Sequence, residues 1–222
     1  MPDAPNTLNP GLRERKAQRT RAELIDAAVK LCLSVGYENA TVELISATAD
    51  VSPRTFSRYF ASKDAVFLAV LDVLSDDVVA EVSQQSDDLG PLEAMRAAVV
   101  AVLRRIADRP YGRPSAEQIA LIPRVINSSD ALRAKAIDYN NPRVMAILAD
   151  RAGVALDDRR LELARALFTV TAVTACADLV AHTDPALLGP RVMADRLEEG
   201  FAQLAEMAAD LNPARPTLKT LG

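Results

Sequence analysis

The hydrophobic positions of this 222-residue chain repeat with the period of an α-helix rather than with the alternation of a strand. In the first strong segment, Leu24, Ala28 and Leu31 follow a spacing of three or four residues, which places them on one helical face. Gly36 follows this segment, at the position where a glycine commonly ends a helix. The pattern therefore predicts a first helix over residues 12–35.

Hydroxyl residues mark the starts of the next three helical segments. Thr41, Ser52 and Ser62 each stand directly before a helical pattern, and such residues commonly cap a helix N-terminus. Pro53 stands in the first turn of the third segment, where the missing amide hydrogen costs nothing. These signals predict a second helix that ends near Ala49, a short third helix, and a long fourth helix over about 63–85.

In the remainder of the chain, capping residues, glycines and prolines again separate apolar helical patterns. These signals predict five further helices, over about 91–108, 114–126, 130–152, 157–182 and 190–211. Pro142 lies inside the seventh pattern, so we expect a kink or a break near Asn140–Asn141. No segment shows strand alternation and no internal repeat is visible in the sequence. The predicted fold class is all-α, with about nine helices.

Composition agrees with this fold class and narrows the environment. Half of the residues are hydrophobic, glycine and aromatic residues are few, and tryptophan is missing. No run approaches the eighteen apolar residues of a membrane span, so we expect no membrane partner. The N-terminus lacks the apolar core of a secretory signal, and Cys32 and Cys176 lie in apolar helical patterns as free thiols would. We therefore expect a cytoplasmic protein.

The net charge of −4 hides an uneven distribution of charge along the chain. Residues 1–65 contain 9 Lys/Arg against 8 Asp/Glu, whereas residues 66–222 contain 17 against 22. The basic residues of the first part cluster between Arg13 and Arg21, with Glu14 as the acidic exception. A basic head on an acidic body is a distribution found in nucleic-acid-binding proteins.

The second and third predicted helices have the lengths of a helix-turn-helix. Phe56 and Phe60 share one face of the third helix, and we expect them to pack against the first two helices. Arg54, Thr55, Ser57, Arg58 and Tyr59 occupy the rest of its surface, and such hydroxyl and guanidinium groups suit base edges and phosphates. From the pattern alone, solvated surface arginines beside an ordinary core explain the same residues equally well.

The order of motifs around this helix resembles the DNA-binding head of TetR/AcrR-type bacterial transcriptional regulators. The resemblance covers about 55 residues, Arg19 to Val73, and rests on Gly36-Tyr37, Thr41-Val42, Val51-Ser52, Thr55-Phe56, Arg58-Tyr59-Phe60 and Ser62-Lys63. It implies a regulator, more often a repressor than an activator, that binds double-stranded operator DNA as a homodimer and is released by a small effector.

The resemblance also implies roles for individual residues. Its DNA-facing positions correspond here to Thr41, Ser52, Arg54, Thr55, Ser57, Arg58, Tyr59 and Lys63. Its head core corresponds to Leu44, Ile45, Val51, Phe56 and Phe60. Two departures limit the transfer: Asp50 stands where the family usually has a glycine, and Ser57 stands where an aromatic residue is common. Asp50 can adopt the left-handed conformation of a glycine at some cost.

The division of the chain that follows has four parts. Residues 1–11 form a disordered lead-in, 12–62 the DNA-binding head, 63–211 a helical domain for effector binding and dimerisation, and 212–222 a disordered tail. The effector is expected to be small and mostly apolar. Candidate residues for its pocket are Met95, Val99, Val102, Tyr111, Gln118, Ile122, Tyr139, Asn140, Arg143, Met145, Thr171, Thr174 and Asp178.

Some of these residues have open alternatives. For each Met, Val or Ile, an ordinary core role is the more common explanation. Asp178 is suited to a cationic ligand, to an arginine such as Arg143, or to a cap or an interface. His182 has no second set of ligands at metal spacing, so we expect a helix cap or a surface role.

The eighth predicted helix is apolar on two sides, with Leu163, Leu167 and Val170 on one and Leu161 and Phe168 on the other. A helix that is apolar on two faces needs two partners. We therefore expect a homodimer through predicted helices eight and nine, around a twofold axis.

A helical enzyme and a protein-interaction module are the two other classes of function. A helical enzyme would need a catalytic motif, and the sequence has no phosphate-binding glycine loop, no Gly-x-Ser-x-Gly, no His-Glu-x-x-His and one histidine. We therefore expect neither an enzyme nor a bound cofactor. A protein-interaction module that has lost specific DNA binding is the alternative, kept open by Asp50, Ser57 and the acidic total.

Overall fold

A computed structural model describes residues 11–109, 114–181 and 188–211. Within these ranges all regular secondary structure is helical, which confirms the all-α prediction. The α-helices are α1 (Leu12–Val35), α2 (Val42–Thr48), α3 (Pro53–Tyr59), α4 (Lys63–Leu68), α5 (Ser75–Val82), α6 (Pro91–Ala107), α7 (Ala116–Ile126), α8 (Asp130–Ile137), α9 (Pro142–Ala152), α10 (Arg159–Ala175) and α11 (Pro190–Leu211). Two 3-10 segments span Ala69–Leu74 and Ala177–Ala181.

The differences from the nine predicted helices are local. The fourth predicted helix is α4, the first 3-10 segment and α5 in unbroken succession. The seventh is divided into α8 and α9, and the expected break near Asn140–Asn141 is confirmed because Pro142 begins α9. The eighth is α10 followed, after Cys176, by the second 3-10 segment, so its α-helical part ends at Ala175 rather than near residue 182. The remaining bounds agree with the structure to within a few residues.

Side-chain caps explain why the boundaries could be predicted. The amides of Leu44, Thr55 and Ala65 donate to the hydroxyl oxygens of the cap residues Thr41, Ser52 and Ser62, at 3.2, 3.1 and 3.2 Å. Each bond satisfies one of the amide groups that a helix N-terminus leaves without an intrahelical partner.

One continuous hydrophobic cluster runs through the described residues from Leu24 to Phe201. In the head it contains the buried faces of α1, α2 and α3, and it continues through α4 into the body. In the body α6 packs against α5, α10 and α11. Head and body therefore share one hydrophobic core, which is continuous through α4.

Two apolar residues of the head are more exposed than core residues. Leu44 was expected to face inward, but 41% of its surface is exposed, whereas its neighbour Ile45 is fully buried. Val35, in the last turn of α1, is 44% exposed. A helix as short as α2 buries a single stripe, and Ile45 and the buried Ser46 occupy that stripe.

Several expectations fall outside the described residues: the disordered lead-in up to residue 10, the pocket role of Tyr111, the cap or surface role of His182, and the disordered tail 212–222. Among the helices that are described, none is both long enough and apolar enough to cross a membrane.

Candidate DNA interface and ligand cavity

The turn between α2 and α3 is held by its backbone. The amide of Val51 donates to the carbonyl of Ser46 at 2.9 Å, and Asp50 has a φ of 53°. This φ lies in the left-handed region, which glycine enters freely and which aspartate tolerates better than most residues. Asp50 therefore adopts the left-handed conformation expected of it in place of a glycine.

Two phenylalanines attach α3 to the rest of the head. Phe56 and Phe60 are 1% and 5% exposed, and their ring centroids lie 5.7 Å apart. The guanidinium carbon of Arg21, from α1, lies 5.3 Å from the centroid of the Phe60 ring. These contacts fix which face of α3 points into the head and which points away from it.

The outward face of α3 is polar and basic. Arg54, Ser57 and Arg58 are exposed, whereas Thr55 and Tyr59 are half-buried. The Arg58 guanidinium donates to the Tyr59 hydroxyl at 3.2 Å and its carbon lies 5.0 Å from the centroid of the Tyr59 ring. The predicted DNA-facing residues of α3 thus form one surface, in which Arg58 and Tyr59 support each other.

The hydroxyl groups of this region already form hydrogen bonds with neighbouring residues of the head. Ser57 donates to the carbonyl of Pro53 at 3.1 Å, and the hydroxyl oxygens of Ser52 and Thr55 lie 3.0 Å apart. Thr41 caps α2 and Ser52 caps α3. Their hydroxyl groups therefore have structural roles beside any contact with DNA.

Lys63, at the start of α4, is held against the head by Tyr37. Its ammonium group donates to the carbonyl of Tyr37 at 2.9 Å and lies 4.1 Å from the centroid of that ring. The Tyr37 hydroxyl donates to Asp64, and burial together with this bond raises the pKa of Tyr37 above its ordinary range. Burial alone would raise the pKa of Asp64, but hydrogen bonds from Lys135 and Tyr37 outweigh it and hold that pKa below its usual range.

The body contains a largely apolar cavity of about 190 Å³ between α5, α6, α7, α9, α10 and α11. Some of the predicted pocket residues line it: Met95, Val99, Ile122, Tyr139 and Met145. Its volume and walls suit a small, mostly apolar molecule.

The other predicted pocket residues lie elsewhere, for identifiable reasons. Val102 is fully buried in the core, and Gln118 closes a capping box with Ser115 at the start of α7. Asn140 and Thr174 are exposed, and Thr171 packs against Gly200 of α11. Arg143 forms an ion pair with Asp76, and Asp178 pairs with Arg196 at 2.8 Å. Asp178 thus has an arginine partner, although not Arg143.

The sequence pattern does not reveal the polar group that surrounds Tyr139. The Tyr139 hydroxyl donates to Asp72 and accepts from the Asn141 side-chain amide at 3.3 Å. The same amide lies 2.5 Å from the hydroxyl oxygen of Ser75. Burial and the bond to Asp72 raise the pKa of Tyr139, so this hydroxyl remains protonated at physiological pH.

The charge within the cavity wall is neutralised. Arg165 lies in the wall with only 11% of its side chain exposed, and it forms an ion pair with Glu162 at 2.6 Å. Its remaining donors reach the carbonyls of Ile137 and Tyr139 at 3.2 and 3.1 Å. Burial raises the pKa of the lining Cys176 thiol to about 12, which keeps it uncharged. Among the described residues that line the cavity, none carries an unpaired charge that would compensate a charge on a buried ligand.

The outer side of α10 carries exposed apolar residues. Leu163 and Val170 are 57% and 43% exposed and lie seven residues apart, so they share one face. On the opposite side, Phe168 stacks on Phe201 of α11 with ring centroids 5.7 Å apart. The two apolar faces that the sequence predicted for this helix are both present, and the inner one is covered by α11.

Comparison with protein families places the head alongside known regulators. Residues 24–70 match the model described as "Bacterial regulatory proteins, tetR family". This range begins within α1 and ends in the first 3-10 segment, so it contains the whole α2–α3 unit.

Individual proteins are similar over longer stretches. The HTH-type transcriptional regulator TcmR of Streptomyces glaucescens is 38% identical over 164 residues, which cover 70% of this chain and 72% of that protein. The HTH-type transcriptional repressor NicS of Pseudomonas putida is 32% identical over 97 residues, 43% of this chain and 46% of that protein. The crystal structure of a TetR-family regulator from Streptomyces coelicolor matches 91% of this chain and 99% of its own, at 21% identity and a TM-score of 0.48.

Proposed function

Because this chain belongs to the tetR family of bacterial regulatory proteins, we propose that it is a ligand-responsive transcriptional regulator that binds operator DNA through α3. The relatives that are named as transcriptional regulators favour regulation over enzymatic activity. Such a regulator acts in the cytoplasm, where it has access to DNA. Repression is the more common action in the family.

One observation carries the DNA-binding part of this proposal: α3 is anchored on one side and basic on the other. Phe56 and Phe60 are buried, whereas Arg54 and Arg58 are exposed on the same two-turn helix. A helix with this division can enter a major groove without disturbing the core of the head. Arg54, Thr55, Ser57, Arg58 and Tyr59 would meet DNA directly, and Thr41, Ser52 and Lys63 flank them.

The cavity supports the ligand-responsive part. Its walls are mostly apolar, its arginine is neutralised by Glu162, and its cysteine is uncharged. We propose an uncharged, mostly apolar effector, because a buried charge without a partner is strongly unfavourable. Met95, Val99, Ile122, Tyr139 and Met145 would contact it. Binding shifts the population of head arrangements away from those that fit the operator.

The outer face of α10 supports a homodimer. Leu163 and Val170 present an apolar surface, and α11 lies beside it with Met207 59% exposed. Two copies that pair these helices around a twofold axis would bury this surface and present two α3 helices to successive major grooves. The division into a head at 12–62 and a body at 63–211 belongs to the same proposal.

The double variant Arg58→Ala with Tyr59→Ala tests DNA binding. It removes a guanidinium and a phenol from the outward face of α3 and leaves both anchoring phenylalanines in place. We expect the affinity for a DNA fragment from upstream of its own gene to fall to that for random DNA, as measured by fluorescence anisotropy at several salt concentrations. Sedimentation should show an unchanged oligomeric state.

The matched control is Lys30→Gln, which removes one exposed positive charge from α1 rather than from α3. It should retain specific binding. If the wild-type chain binds its own upstream DNA no more tightly than random DNA, the proposal is wrong, and the protein-interaction alternative takes its place.

A further inference from the structure

Two polar contacts connect the head to one short stretch of the body. This stretch, residues 135–141, contains the end of α8 and the connection to α9, and we call it the α8–α9 corner. Its first residue, Lys135, lies with its ammonium nitrogen 2.6 Å from one carboxylate oxygen of Asp64, and the other oxygen accepts from the Tyr37 hydroxyl of the head. This contact fixes one end of the corner to α4.

The second contact begins at the cavity. Tyr139 lines the cavity and its hydroxyl donates to one carboxylate oxygen of Asp72. The other oxygen of the same carboxylate accepts from the Arg21 guanidinium of α1 at 3.1 Å. Asp72 therefore bridges a residue of the ligand cavity and a residue of the head, with no other side chain between them.

Arg21 continues the connection to the DNA-facing helix. Its guanidinium carbon lies 5.3 Å from the ring centroid of Phe60, which caps the C-terminus of α3. Three contacts thus lead from the cavity wall to α3: Tyr139 with Asp72, Asp72 with Arg21, and Arg21 with Phe60. A displacement of Arg21 acts on a ring that anchors α3.

Asp72 stands at a place where the backbone can change. It belongs to the 3-10 segment Ala69–Leu74, which lies between α4 and α5 in one helical run. A 3-10 stretch within a longer helix has less favourable hydrogen-bond geometry and often marks a hinge. When Asp72 loses a hydrogen-bond partner, the effect therefore falls on the least regular part of the helical run that links head and body.

We propose that the Tyr139 hydroxyl transmits occupancy of the cavity to the head through Asp72 and Arg21. This inference rests on the proposed function and assigns a route to its regulation. A ligand that hydrogen-bonds to the Tyr139 hydroxyl, or that moves its ring, separates it from Asp72. Asp72 then has Arg21 as its only partner in the bridge, and the 3-10 segment and α1 are free to move relative to the corner.

The ligand class that suits this route is an uncharged apolar molecule with a hydrogen-bond acceptor. The Tyr139 hydroxyl is a donor, so a carbonyl or ether oxygen in the cavity would compete directly with Asp72. By linkage, whatever weakens the bridge from the head side must strengthen ligand binding by the same factor.

This reciprocity gives a test that needs no DNA. The probe is N-phenyl-1-naphthylamine, an uncharged apolar dye whose fluorescence rises in apolar surroundings. It has no oxygen acceptor, so in this proposal it acts by moving the Tyr139 ring rather than by competing for the hydroxyl proton. Tyr139→Phe keeps the ring in the cavity wall and removes the hydroxyl, whereas Arg21→Gln removes the head partner without altering the cavity. We expect each variant to bind the dye about threefold or more tightly than wild type, and the double variant to bind no more tightly than the better single one.

The control Lys30→Gln removes a charge from the same helix as Arg21 and should bind the dye as wild type does. Arg21→Gln with the affinity of Lys30→Gln would overturn the proposal. Effects of Tyr139→Phe and Arg21→Gln that simply multiply in the double variant would overturn it too, since independent structural roles would act in that way.

Hydrogen–deuterium exchange provides a second measurement that requires no ligand. Tyr139→Phe should speed exchange in the 3-10 segment and in α3, relative to wild type and to Lys30→Gln. Unchanged exchange in both places contradicts the proposal, even if the dye does not bind. Altered exchange together with a failure to bind the upstream DNA would leave the route intact and reject the operator-binding function, so the two failures are distinguishable.

Discussion

Asp50 has two opposing effects: its backbone conformation suits the turn, and its negative charge disfavours DNA at the surface. Its φ of 53° completes the turn between α2 and α3 without a glycine. Its side chain is exposed beside a helix that carries Arg54 and Arg58. A carboxylate there repels the phosphates that those arginines attract, so the residue that shapes the turn opposes the proposed partner.

Asp50→Asn separates these two effects. Asparagine tolerates the left-handed conformation as aspartate does, but it carries no charge. We expect DNA affinity to rise about threefold at low salt and the gain to shrink as salt screens the phosphates. Anisotropy titrations at a series of salt concentrations measure this affinity. The free energy of unfolding, measured with a denaturant, should change by less than about 0.5 kcal/mol. A gain that is independent of salt would rule out the electrostatic explanation.

At this scale the sequence predicted single residues better than their partners. Tyr139 was expected in the cavity wall and lies there, whereas Asp72 was not expected to meet it. The two residues are 67 positions apart, and a helical pattern specifies faces but not which distant polar groups meet. Polar candidates were misplaced for the same reason, because Arg143 and Asp178 found ion-pair partners outside the cavity.

The break between α8 and α9 shows how a short element boundary can position a cavity wall. Asn141 caps α9 by accepting from the amides of Arg143 and Val144 at 3.0 and 3.2 Å. The amide nitrogen of the same side chain reaches Ser75 at the start of α5. The Asn141 side chain therefore caps the start of α9 and also attaches α9 to α5.

Asn141→Ala should remove both contributions. The loss of a cap costs about 1 kcal/mol, and the loss of the hydrogen bond to Ser75 about another 1 kcal/mol. We expect the free energy of unfolding to fall by about 2 kcal/mol in urea titrations at fixed protein concentration. Asn141→Asp retains the capping oxygen and is the control, with about half of that loss. Equal losses in the two variants would show that the cap contributes nothing.

Helix bounds were predictable where a cap or a proline marks them. Ser52 with Pro53 and Asn141 with Pro142 are visible in the sequence and begin α3 and α9 in the structure. The 3-10 segment at Ala69–Leu74 carries no such signal, because its apolar spacing suits either kind of helix. Leu44 was misassigned because apolar character alone does not fix which stripe of a two-turn helix is buried.

For the whole molecule, the exposed apolar face of α10 is the feature that a single copy does not explain. Leu163 and Val170 remain uncovered, although the opposite face of the helix packs closely against α11. A second copy of the chain would cover this face through the same residues on both sides, as a twofold interface requires.

Val170→Asp tests that assembly. In a twofold interface the substitution buries two like charges near each other, so we expect the dimer dissociation constant to rise about a hundredfold or more. Sedimentation velocity over a range of concentrations measures it. The control is Leu33→Asp in α1, because Leu33 is 36% exposed and lies outside the proposed interface. This variant should leave the assembly intact. A Val170→Asp protein that still dimerises as the wild type does would exclude α10 from the interface.

The pairings at Asp64 and Asp72 have a practical consequence for protein engineering. A chimera that joins this ligand-sensing body to the head of another regulator would naturally be cut near Ser62, where α4 begins. Such a cut preserves the covalent modules but discards Arg21 and Tyr37, the head partners of those two aspartates. We expect a transplanted head to respond to this body's ligand only when it carries an arginine and a tyrosine at the equivalent places, and this expectation gives a rule for choosing donor heads.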